Sequence, residues 1–144
     1  MKTSKLTTIP EDVIRTIRGQ RVILDFDLAE IYGVQTKVLN QAVKRNASKF
    51  PEDFMFRLTR DEAEDLRASR SQSVTLKRGQ NVKYLPHAFT EHGAIMAATV
   101  LNSPKAVEMS VFVVRAFVKM REQLLATATL AKRLAEVEKD LLIH

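Results

Sequence analysis

The stretch from Asp27 to Asn46, DLAEIYGVQTKVLNQAVKRN, leaves the chain little freedom in how it folds, because it spells two short helices joined at a glycine. Asp27 is positioned to cap the first helix and Glu30, three residues on, to return the bond, while Leu28 and Ile31 share one side. Gly33 ends that helix. A glycine accepts the left-handed conformation that closes a helix and lets Val34 fold back onto the apolar side. Thr36 is placed to cap the second helix.

Plotted at about 100° per residue, the second helix divides into two faces. Val38, Leu39, Ala42 and Val43 fall on one side. Opposite them, within about 100° of arc, lie Lys37, Asn40, Gln41, Lys44 and Ser48, with Arg45 on the flank. Between Tyr32 and Phe50 the basic residues are Lys37, Lys44, Arg45 and Lys49, and there is no Asp or Glu. Lys and Arg neutralise phosphates, and Asn and Gln carry the paired donor and acceptor that match an adenine edge in a major groove. A solvated surface helix can have the same composition, so the face by itself leaves both readings open.

The string LAEIYGVQTKVLNQAVKRN, followed by FPEDFMFRLT and later by KYLPHAFTEHGAIMAATVL, resembles the phage antirepressor N-terminal DNA-binding family, a relative of the KilA N-terminal domain. The resemblance runs from near Val13 to about Arg121, through several separated motifs in the family's order. It implies a DNA-binding module of bacteriophages and integrated mobile elements, sometimes joined to a separate antirepressor or regulatory domain. Carried over onto this chain, it makes Leu28 to Asn46 the DNA-facing unit. The linker Arg78 to Asn81 departs from the pattern, being compact beside longer versions of the loop.

At 144 residues with 45% hydrophobic content the chain has the size and core of one ordinary domain, and a helical tail is expected to follow it. Its 23 basic and 17 acidic residues leave a formal charge of +6, which favours polyanionic partners without requiring them. Leu66 to Thr90 holds Arg67, Arg70, Lys77, Arg78 and Lys83 with no acid, whereas Asp61, Glu62, Glu64 and Asp65 cluster just before, where a helix start favours them. The absence of cysteine excludes disulfide scaffolds, thiolate metal sites and cysteine nucleophiles, and suits a reducing cytoplasm. The N-terminus lacks the apolar core of a secretory signal, and no segment approaches the apolar length needed to span a bilayer.

Along the chain, Met1 to Ile9 reads as a loose polar arm and Pro10 as entry to a domain extending to residue 121. Val13 to Arg18 and Arg21 to Leu24 flank Gly19-Gln20, the pattern of a β-hairpin. After Pro51, Phe54, Phe56 and Leu58 alternate with Met55 and Arg57 as in a half-buried strand, and the capping box from Thr59 to Glu62 predicts a helix to about Ala68. Val74 to Lys77 and Val82 to Leu85 predict a second hairpin, whose Lys77, Arg78 and Lys83 form a basic wing for the phosphate backbone or simply a solvated surface. Thr90 caps a helix to about Leu101, and Ser103-Pro104 starts another. There Met109, Val111, Phe112, Val113, Val114, Phe117 and Val118 surround the helix almost completely, as in a central packing helix. Beyond it, in 122–144, Leu130, Leu134, Val137 and Leu141 repeat at the spacing of a narrow coiled-coil seam. A helix of this length is marginal alone, so it is expected to pair with a second protomer or lean against the domain; dimerisation is preferred, and a connector to a further domain is the alternative.

Enzyme signals are weak. His87 and His92 are five apart, whereas two zinc-binding histidines on one helix face sit four apart, so no metal is expected. The turns Arg18-Gly19-Gln20 and Lys77-Arg78-Gly79 lack phosphate-loop spacing, the scattered carboxylates form no catalytic pair, and no cofactor is expected. The expectation is a small α+β domain with short β-hairpins, a helix-turn-helix and a long C-terminal helix, binding double-stranded DNA as a dimer. Phosphate docking falls to Lys44, Arg45 and Lys49, base reading to Lys37, Asn40 and Gln41, and support to Lys77, Arg78 and Lys83, with Thr36 also among the DNA-binding candidates. The competing expectation is an antirepressor that binds another regulator protein through its C-terminal helix. RNA binding ranks third, since an aromatic RNA-stacking motif is missing.

Overall fold

The computed structural model describes residues 11–69 and 84–143. The predicted N-terminal arm and the second hairpin's Val74 to Lys83, with Lys77, Arg78 and Lys83, lie outside the described residues. Among the described residues the order is β1 (Arg15–Ile17), β2 (Gln20–Leu24), α1 (Asp25–Tyr32), α2 (Thr36–Arg45), β3 (Met55–Arg57), α3 (Arg60–Ser69), β4 (His87–Phe89), α4 (Glu91–Leu101) and α5 (Pro104–Ile143). The strands form one antiparallel sheet in the order β1-β2-β4-β3, giving the mixed α+β class that the sequence predicts.

The sheet separates two cores because successive side chains on a strand point to opposite faces. Ile23, Phe89 and Met55 point to the larger core, where they meet Leu28 and Tyr32 of α1, Leu39 and Val43 of α2, Ala94 and Ala97 of α4, and Met109, Val113 and Phe117 of α5. Val22, Leu24, Phe56 and Ala88 point to the other face, under Leu66 of α3. The predicted first hairpin forms, with Ile17 opposite Gln20 across an Arg18-Gly19 turn. Its turn is one residue earlier than expected. The half-buried strand at 55–57 also forms, but its partner is β4, which the sequence reading passed over as the approach to a helix. Tyr84 and Leu85, expected in a strand, precede β4 instead.

The capping box predicted at Thr59 is present and reciprocal: the Glu62 backbone N–H donates to Thr59 Oγ1 at 3.1 Å, and the Thr59 N–H donates to Glu62 Oε1 at 2.8 Å. Thr90 accepts from the Gly93 N–H at the start of α4, and Ser103 from the Ala106 N–H at the start of α5. At Gly93 the first turn of α4 lies against the backbone of Phe54. A Cβ at Gly93 would stand 1.8 Å from the Phe54 carbonyl oxygen.

Three local expectations are corrected. Asp27 does not cap α1, because β2 runs straight into the helix with Leu24 as its N-cap; Asp27 falls in the first turn and accepts from Arg15 Nη2 at 3.3 Å. Thr36 does not cap α2, because Gln35 precedes it with extended backbone and its carbonyl accepts from the Val38 and Leu39 N–H groups. Finally, α5 is not wrapped by core on all sides. It packs on α4 and α1 through Ala106, Met109, Val113 and Phe117, leaving Val107 and Val111 exposed.

Helix α5 is continuous over 40 residues, about 60 Å at 1.5 Å per residue. From Arg121 to Ile143 every residue is exposed. Arg121 itself is tied back to the body by an ion pair with Glu91. No helix of the described residues is long and apolar enough to cross a membrane.

Candidate nucleic-acid interface

The pair α1–α2 is closed by a tight turn at Gly33, which has φ 75°. Its N–H donates to the Glu30 carbonyl at 3.2 Å and the Val34 N–H to the Ala29 carbonyl at 3.0 Å, the two bonds of a Schellman motif. Val34 thereby folds against the larger core, as expected. The Tyr32 hydroxyl donates to the Ala94 carbonyl at 2.8 Å, fixing the end of α1 to α4. Burial pushes that phenol's pKa well above its ordinary range.

Helix α2 then lies on the body through Leu39 and Val43, both buried. Ala42 is half-buried beside them, whereas Val38, expected on the apolar side, is 40% exposed at its rim. Lys37, Gln41, Lys44, Arg45, Ser48 and Lys49 are all exposed. Thr36 is half-buried at the first turn. The basic residues Lys44 and Arg45 occupy the last turn, where the helix dipole favours positive charge. Lys49 follows in a 3-10 turn over Ala47–Lys49.

Asn40 departs from the expected arrangement. Its side chain turns inward and its Nδ2 donates to Asp25 Oδ2 at 3.1 Å. Asp25, the first residue of α1, is fully buried. Its carboxylate also accepts from the Tyr84 hydroxyl at 2.6 Å and from the His87 backbone N–H at 3.2 Å, with His87 Nδ1 at 3.5 Å from Oδ2. Burial, reinforced by the neighbouring carboxylate, pushes the Tyr84 hydroxyl's pKa far up. The sequence reading missed this cluster. The available signal was an acid placed directly after the apolar run Val22-Ile23-Leu24, a position where a strand leaving the core carries its next residue with it.

The histidines weighed as a metal motif separate: His87 lies in β4 beside Asp25, and His92 is exposed, its ring 5.6 Å from that of Phe54. Across the molecule a groove of about 430 Å³ runs between the β1–β2 hairpin and α3. Arg18 and Glu62 on its wall are spent on each other at 2.7 Å. The predicted seam residues Leu130, Leu134, Val137 and Leu141 are 54–72% exposed along the end of α5.

An antiparallel sheet that carries a glycine-closed helical pair, its second helix basic, acid-free and exposed on one face, defines a small α+β module. The chain belongs to the ORF6N domain family, which matches residues 12–100 and is phage-associated. No curated protein and no solved structure matches it.

Proposed function

We propose that this protein is a sequence-specific DNA-binding regulator of phage or mobile-element origin, of the KilA-N-related antirepressor kind, with α1–α2 as its helix-turn-helix. The observation that carries the reading is the exposed face of α2, on which Lys37, Gln41, Lys44 and Arg45 stand together without an acid. Lys44, Arg45 and Lys49 neutralise phosphates, and Lys37 and Gln41 reach base edges, a Lys matching guanine and a Gln adenine. Asn40 acts from behind this face, since its amide is engaged with Asp25. The exposed seam of α5 joins two copies, so that two reading helices address neighbouring half-sites on a duplex. The DNA is bound and not chemically altered, and a cytoplasmic setting fits this role.

Titration against pooled duplexes at several salt concentrations tests the reading. Electrostatic docking makes log affinity fall against log salt by about 0.9 for each phosphate neutralised. Binding that ignores salt, or no binding at all, sinks it.

A second reading has its own observation. The uncovered apolar residues of α5 beyond Arg121 also suit a groove on another regulator protein, which the chain then removes from its operator. Firm binding to a repressor without any affinity for duplexes selects that reading.

A further inference from the structure

Helix α2 is attached to the body by few buried side chains, so its rotation about its own axis depends on what flanks them. Its two buried side chains, Leu39 and Val43, are four residues apart and so lie one above the other along the helix. Two anchors on one line resist withdrawal of the helix, but they resist rocking about that line much less. On one flank the short Ala42 is half-buried, and Val38, 40% exposed at the rim, supplies little brace. On the other flank stands Asn40, about 100° around the helix from Leu39. Its Nδ2 is held by Asp25, and its Oδ1 is buried with no hydrogen-bond partner among the described residues.

Asp25 is itself held from three sides. It begins α1 at the end of the buried strand β2, its Oδ1 takes the Tyr84 hydroxyl, and its Oδ2 takes the His87 N–H as well as Asn40. A fully buried carboxylate is costly unless hydrogen-bonded, and this one accepts from three donors, which ties its position to Asn40, Tyr84 and the backbone of β4.

Resting on the DNA-reading role of α2, we infer that Asp25 is its positioning residue: through Asn40 it sets the rotation of the helix, and hence site discrimination, without touching DNA. With side chains included an α-helix has a radius of about 5–6 Å, so a rotation of about 20° carries the tips of Lys37 and Gln41 through about 2 Å. A hydrogen bond to a base edge does not survive that displacement, whereas a lysine near a phosphate adjusts to it. Asp25 therefore governs which sequence is bound more than how tightly DNA in general is bound.

The experiment selects a preferred duplex for the wild-type chain from a random-sequence pool. It then compares affinity for that duplex and for the unselected pool in Asp25→Ala, Asn40→Ala and the double variant Asp25→Ala/Asn40→Ala. Asp25→Ala lowers the ratio of the two affinities about tenfold, the scale of one compromised base contact, and leaves the salt slope unchanged. Because Asp25 acts through Asn40, the double variant loses no more than Asp25→Ala alone. If Asn40 read a base directly, the two losses would add. Additive losses overturn the inference, as does an Asp25→Ala chain that discriminates like the wild type. Should Asp25→Ala fail to fold, Asn40→Ala carries the test: amide exchange across 36–45 of the DNA-free chain speeds up if Asn40 restrains the helix, and unchanged exchange overturns the inference. A wild-type chain that selects no duplex removes the DNA-reading role first and the positioning role with it, whereas normal selection by wild type and Asp25→Ala alike removes the positioning role alone.

Discussion

Glu62 serves two partners at once, the Arg18 guanidinium and the Thr59 backbone. The Arg18 guanidinium beside it, helped by the Thr59 backbone and hydroxyl, holds its carboxyl down to about 2 from an ordinary 4.5. A depressed carboxyl contributes stability that is present above its unfolded pKa and lost as pH falls toward the folded value. The wild type should therefore lose melting temperature relative to Glu62→Gln as pH drops from about 5 to about 2. Parallel melting curves for the two chains across that window would remove the pair from the stability of the fold. Gly93 matters for a different reason. Because a Cβ there meets the Phe54 carbonyl, Gly93→Ala should destabilise the chain by about 1–3 kcal/mol, the usual cost of overpacking, read from denaturant unfolding. An unfolding midpoint like the wild type's would mean that α4 shifts without cost.

At the level of elements, α2 presents two kinds of residue whose loss should be distinguishable. Lys44→Ala with Arg45→Ala should weaken binding to all duplexes and reduce the salt slope by about 2, while leaving the melting temperature unchanged, because both side chains are exposed. Gln41→Ala should spare the slope and cost about 1–3 kcal/mol on the preferred site alone. Equal losses on every sequence would take Gln41 out of base reading. Much of the helical layout was legible along the chain: Gly33 after α1 and the caps Thr59, Thr90 and Ser103 before α3, α4 and α5 are local signals, and each acts within a few residues of itself. Strand β4 was not legible, since its three residues owe their conformation to β2 and β3 on either side. The inward turn of Asn40 was hidden for the same reason. Its position on the helical wheel is polar and outward, and only Asp25, fifteen residues earlier, draws it in.

At the scale of the whole molecule, α5 leaves its apolar seam uncovered. If Leu130, Leu134, Val137 and Leu141 form a seam between two copies, Leu134→Lys with Val137→Lys should yield monomers, since two charges in a buried seam are costly. Affinity for the preferred site should fall more than affinity for random duplexes, because tethered readers at fixed spacing profit from a repeated half-site. Light scattering decides it. A wild-type chain that is monomeric well above its DNA dissociation constant removes the dimer and leaves the tail as a connector. Helix periodicity, the Gly33 stop and the caps at Thr59, Thr90 and Ser103, being properties of neighbouring residues, made α1, α2, α3, α4 and the existence of α5 legible in the sequence alone, together with the basic face of α2, although the starts of α1 and α2 were not. Tertiary structure alone decided that Asp25 is buried, that β4 joins β2 to β3, and that only one side of α5 meets the core. Those features depend on which surfaces meet in space, and no periodicity within a single element records that.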